Sequence, residues 1–120
     1  MKKEELEDIV RNWVEFSDLS CIDKGDAGEI RISHENKEVV ITVAYSCEEF
    51  YVDFNLNGEP LYADWYESMD DPLEEIMEYT RSIVKRYINH PIRVKTTGWF
   101  MFKRPIIEYQ ENGAWKNVFM

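Results

Sequence analysis

The chain has 120 residues, 44% of them hydrophobic and 14% aromatic, and a formal net charge of −10. That size and composition fit one globular α+β domain over residues 1–120, able to bury about two thirds of its unfolded surface, and exclude a disordered chain. No apolar run approaches the ~20 residues of a membrane helix, and Met1-Lys2-Lys3-Glu4-Glu5 carries charge where a secretory signal is apolar, so a cytoplasmic protein is expected.

In chain order, Leu6, Ile9, Val10, Trp13 and Val14 recur at helical spacing and predict an amphipathic helix over Lys3–Phe16. Ser17 to Gly28 reads as a polar loop. Four runs then alternate apolar and polar residues with period two: Glu29–His34, Glu38–Tyr45, Glu49–Leu56 and Glu59–Trp65. Turns at Glu35-Asn36, Ser46-Cys47 and Asn57-Gly58 pair Ile32 with Val39, Val43 with Phe50, and Leu56 with Glu59. Continued without interruption, the last register pairs Phe54 with Leu61, Val52 with Ala63 and Phe50 with Trp65. The expectation is a four-stranded antiparallel meander with its large apolar residues on one face.

Asp71-Pro72-Leu73-Glu74 supplies an N-cap, a proline at the first helical position and an early acid. The helix they open carries the stripe Leu73, Ile76, Met77, Thr80, Ile83, Val84, Tyr87 and Ile88, and Asn89-His90-Pro91 stops it. Beyond it, Ile92–Thr96 alternates, Trp99–Phe102 reads as a buried strand or else an exposed apolar patch that pairs two copies, and Asn112-Gly113 marks a hairpin pairing Ile107 with Val118 and Tyr109 with Lys116. The predicted order is helix, four strands, helix and two or three strands, with two amphipathic helices packed on the sheet.

Little here calls for catalysis. His34 and His90 are isolated, and Cys21 and Cys47 have no CxxC spacing and read as reduced, partly buried thiols. No catalytic residue, metal site or cofactor is expected.

The charge is more informative. Residues 1–80 carry 6 basic and 22 acidic side chains, and residues 81–120 carry 8 basic and 2 acidic. Between Glu38 and Thr80 there is no Lys or Arg against twelve acids. Such a chain repels nucleic acid and anionic membranes and attracts basic protein partners. The basic residues from Arg81 to Arg104 are expected to neutralise the acidic part within the fold. On the uninterrupted register, the sheet's second face carries Arg31, Val40, Asp53 and Tyr62 in one row, Glu29, Thr42, Tyr51 and Asp64 in the next, and Ala44, Glu49 and Tyr66 in a third. The candidate partner-binding residues are therefore Glu49, Tyr51, Asp53, Tyr62, Asp64 and Tyr66, tyrosine giving contact area and carboxylates pairing cations. The readings that stand are an interface for a basic protein, a face packed over by the C-terminal strands or loop, or a face that is merely solvated.

The Glu49–Trp65 hairpin, the Asp71–Ile88 helix and the aromatic Tyr109–Trp115 segment together resemble, in architecture and composition, bacterial polymorphic-toxin immunity proteins. The resemblance implies a non-enzymatic antitoxin, a monomer or weak homodimer, that binds a basic toxin domain one to one with its acids standing in for phosphate. The chain is also similar to small acidic secretion chaperones, though it closes on a hairpin where those have a third helix. An unrecognised enzyme is the remaining alternative.

Overall fold

The computed structural model describes residues 2–46, 49–67, 73–97 and 104–120. The elements are α1 (Lys3–Arg11), β1 (Leu19–Asp23), β2 (Ala27–His34), β3 (Lys37–Ala44), β4 (Glu49–Leu56), β5 (Glu59–Glu67), α2 (Leu73–Asn89), β6 (Ile92–Thr97), β7 (Arg104–Glu111) and β8 (Ala114–Asn117). Strands β1 to β5 form one antiparallel sheet in sequential order, and β6 to β8 form a second. The α+β class holds. The meander has five strands where four were expected, and the C-terminal strands make a separate sheet.

The first two predicted turns set their registers correctly. Ile32 pairs with Val39, Ile30 with Ile41, Ile41 with Val52 and Val43 with Phe50. Alternation thereby sends Ile30, Ile32, Val39, Ile41, Val43, Phe50, Val52 and Phe54 to one face, where all are buried. Each such side chain contributes about 1.5–3 kcal/mol of hydrophobic stabilisation, enough to reject a one-residue slip.

Three elements cover this inner face. Helix α1 brings Leu6 and Val10 onto β1 and β2, so close that a side chain at Gly28 would collide with Leu6. Helix α2 brings Met77, Ile83, Val84, Tyr87 and Ile88, five residues of the predicted stripe, onto β2 and β3. The chain's end covers β4 and β5, where the Phe119 ring meets Phe54 at 5.6 Å and Tyr62 at 4.9 Å.

The sheet is tied to α2 by a lysine. Lys37 lies on the inner side of β3 and is only 6% exposed. Its ammonium donates to the carbonyls of Tyr87 (2.9 Å), Ile88 (3.0 Å) and His90 (2.8 Å), groups that a helix end leaves without intrahelical partners. Burial pushes its pKa below the usual lysine value.

Helix α1 stops at Arg11, earlier than its periodicity implied. Arg81 donates to the Asn12 carbonyl at 3.1 Å and Asn89 to the Glu15 carbonyl at 3.1 Å, so tertiary partners satisfy the non-helical backbone there. Trp13 and Phe16 still reach the core, but Val14, placed in the stripe by helical spacing, is 83% exposed. The expected polar loop contains β1, paired with β2 from Leu19↔Ile32 to Asp23↔Gly28. Most of its side chains face solvent, so ladder bonds hold it and it leaves no burial pattern to read. Cys21 lies on this strand and is exposed rather than partly buried. The expected neutralisation of the acidic part is local: Arg81 pairs with Glu15, while Arg93 and Lys95 pair with Glu108 of their own sheet. The Trp99–Phe102 run, the Asp71-Pro72 cap and Cys47 of the second turn lie outside the described residues. Among the described residues no helix is long and apolar enough to cross a membrane.

Candidate functional site

The outer face of the five-stranded sheet is set by the last hairpin. Asn57 (φ 55°) and Gly58 (φ 77°) form the predicted turn, and Leu56 pairs with Glu59 and Asn55 with Pro60. Between Asn55 and Phe54 the register shifts by one residue, leaving Leu61 as a bulge. Pro60 has no N–H to give to the ladder, which makes this a favourable place to break it. Beyond the bulge Phe54 pairs with Tyr62, Asp53 with Ala63, Val52 with Asp64, Tyr51 with Trp65, Phe50 with Tyr66 and Glu49 with Glu67.

This shift divides the six predicted residues. Glu49, Tyr51 and Asp53 keep their place on the outer face. Tyr62, Asp64 and Tyr66 move to the inner side, opposite the buried Phe54, Val52 and Phe50. The Tyr66 ring stacks on Phe50 at 5.0 Å, and Tyr62 packs between Phe54 and Phe119. Asp64 serves the strand itself, one oxygen accepting the Trp65 N–H at 2.8 Å and the other the Tyr66 hydroxyl at 2.9 Å. Burial and that carboxylate push the Tyr66 pKa well above the usual tyrosine value. Tyr62 and Tyr66 thus pack against the one core, Tyr62 beneath Phe119 at the chain's end.

Across the outer face one row now reads Ile22, Glu29, Thr42, Tyr51, Trp65, and the next Ser20, Arg31, Val40, Asp53, Ala63. Trp65 takes the place the uninterrupted register gave to Asp64, and is 50% exposed beside Tyr51 at 45%. Sequence reasoning missed Trp65 because it counted past the bulge. The proline immediately after the turn was the available signal.

The two halves of this face differ electrostatically. On β1 to β3, Arg31 reaches Glu29 at 3.1 Å and Glu38 at 3.6 Å, and Lys24 lies 3.6 Å from Glu29. The Arg31 guanidinium holds the Glu29 carboxyl below its usual pKa. On β4 and β5, among the described residues, neither Glu49 nor Asp53 has a cationic partner. The Tyr51 hydroxyl lies 3.5 Å from a Glu49 oxygen. The half made of Glu49, Tyr51, Asp53 and Trp65 therefore presents uncompensated carboxylates around two exposed aromatic rings.

The other polar groups are more ordinary. His34 ends β2, exposed, 3.5 Å from Glu35, and His90 follows α2 with Tyr109 beside its ring and Glu111 at 3.9 Å. Among the described residues no three His, Cys, Asp or Glu side chains gather as a metal-holding group. An open hollow of about 420 Å³ lies at the turn end of the sheet, lined by Ser33, Glu35, Glu38, Asn55 and Asn57. A scan against protein-family models and searches of curated proteins and of solved structures returned no match.

Proposed function

We propose that this chain is a non-enzymatic binding domain of the immunity type, which neutralises a basic toxin domain by direct one-to-one contact in the cytoplasm. The observation that carries the reading is the β4–β5 half of the outer face. Among the described residues its carboxylates Glu49 and Asp53 have no cationic partner, and its rings Tyr51 and Trp65 are about half exposed. Uncompensated charge of one sign steers a partner of the other, and exposed tyrosine and tryptophan provide the contact area that interface centres use. The absence of Lys and Arg from Glu38 to Thr80 extends the negative field around them. Tyr62, Asp64 and Tyr66, placed in the interface on sequence alone, serve this function only by supporting β5.

The test is affinity capture of the product of the adjacent gene by the wild-type chain and by a Glu49→Lys, Asp53→Lys double variant. The expected result is capture by the wild type, with an association rate that falls steeply as salt rises, and loss of capture in the double variant. Undiminished capture by the double variant places the interface elsewhere.

A further inference from the structure

Tyr51 and Trp65 are direct cross-strand neighbours on an open face, and Glu49 and Asp53 precede and follow Tyr51 on the same side of β4. Two flat π faces beside two carboxylates suit a planar cation better than a spherical one, because a guanidinium stacks on a ring while its N–H fork pairs with carboxylate oxygens. We infer that the Tyr51–Trp65 pair, bracketed by Glu49 and Asp53, is the seat for an arginine side chain of the protein partner. This rests on the reading of the outer face as an interface.

The same molecule contains the filled version of the arrangement. On the second sheet the Arg93 guanidinium lies 4.4 Å from the Trp115 ring centroid while its Nε donates to Glu108 at 2.8 Å. Tryptophan face, guanidinium and glutamate are assembled there from one chain. On the five-stranded sheet the rings and carboxylates are present, and among the described residues no cation completes them.

Other occupants fit less well. A second copy meeting this face symmetrically would bring Glu49 and Asp53 against their own images. An added strand along β5 would need the outward amide of Trp65, which the Asp64 carboxylate already holds at 2.8 Å. A broad apolar partner would find no continuous patch among the described residues of this face. Ile22, the other exposed apolar residue of the row, is three strands from Tyr51, roughly 14 Å at sheet spacing, with Glu29 and Thr42 between.

The experiment compares hexa-arginine and hexa-lysine peptides as ligands, by calorimetry and by the shift of the Trp65 indole resonance. The wild-type chain is expected to prefer hexa-arginine by roughly two- to fivefold, the span of an exposed cation–π contact, and the Trp65 resonance is expected to move. Trp65→Leu should abolish the preference while leaving the weaker, salt-sensitive binding that both peptides share. The wild-type comparison depends on no variant's folding. Equal affinity for the two peptides, or a preference unchanged in Trp65→Leu, overturns the arginine seat. Either result leaves the immunity reading to its own test, since the Lys double variant addresses the face whatever side chain it receives.

Discussion

Replacing Lys37 with methionine should destabilise the protein by about 2–4 kcal/mol, the net of opposing terms. Methionine keeps most of the apolar stem, so little cavity is created. What disappears is three charge-assisted hydrogen bonds, at 2.9, 3.0 and 2.8 Å, to the carbonyls that end α2. Each buried carbonyl left without a donor costs about 1–3 kcal/mol. Against this stands the recovered cost of burying an ammonium, the same cost that holds the Lys37 pKa below 10.5. Urea unfolding at neutral pH measures the balance, and a midpoint lowered by about 1–2 M with unchanged slope is expected for a domain of this size. A pH series separates the charge from the shape. The unfolded chain holds the Lys37 proton up to 10.5, whereas the folded protein releases it earlier. The wild type's advantage over Lys37→Met should therefore grow as pH rises through that window. A midpoint shift below about 0.3 M would mean that water caps the helix as well as the lysine does.

Tyr87, whose hydroxyl donates to the Asn55 carbonyl at 2.8 Å, has its pKa pushed up to about 12 by burial. Its contribution is complete below the ordinary value near 10 and lost as pH rises through about 12, so Tyr87→Phe should flatten alkaline unfolding followed by circular dichroism. Glu15 behaves in the opposite sense. The Arg81 fork holds its carboxyl below 4.5, so its stabilisation is full above 4.5 and lost as pH falls through the lowered value. Glu15→Gln should lose stability at neutral pH and converge with the wild type in acid. Finally, Tyr66→Ala should cost about 3 kcal/mol as a core truncation, while Tyr51→Ala should cost under about 1 kcal/mol, a contrast that thermal unfolding resolves. Equal losses would contradict the inner and outer assignment of the two tyrosines.

Where local chemistry and burial agree, the fold is legible from the amino acids. The registers through Ile32–Val39 and Val43–Phe50 follow from alternation and turn position, and the α2 stripe follows from helical spacing. The hairpin at Asn112-Gly113 pairs Tyr109 with Lys116 as its turn requires. The failures have physical causes. Strand β1 is held by ladder bonds and carries no period. Helix α1 ends where Arg81 and Asn89, about seventy residues away, take up the carbonyls of Asn12 and Glu15 just beyond it. The role of Lys37 depends on α2, some fifty residues further along the chain, lying over it, which no local pattern carries. The candidate site was half legible: Glu49, Tyr51 and Asp53 follow from β4 alone, whereas their neighbour on β5 depends on a bulge that alternation cannot see.

That bulge makes strand length a switch on β5. Removing Leu61 would close the ladder evenly and keep Tyr62 opposite Phe54, so a chain one residue shorter there retains the same inside and outside. Deleting Ala63 instead would turn the rest of the strand over, bringing Asp64 and Tyr66 to the outer face and sending Trp65 inward. A chain one residue shorter at Leu61 would lose that side chain's packing on the core but keep both faces of the strand, whereas one shorter a few residues further on would not keep them.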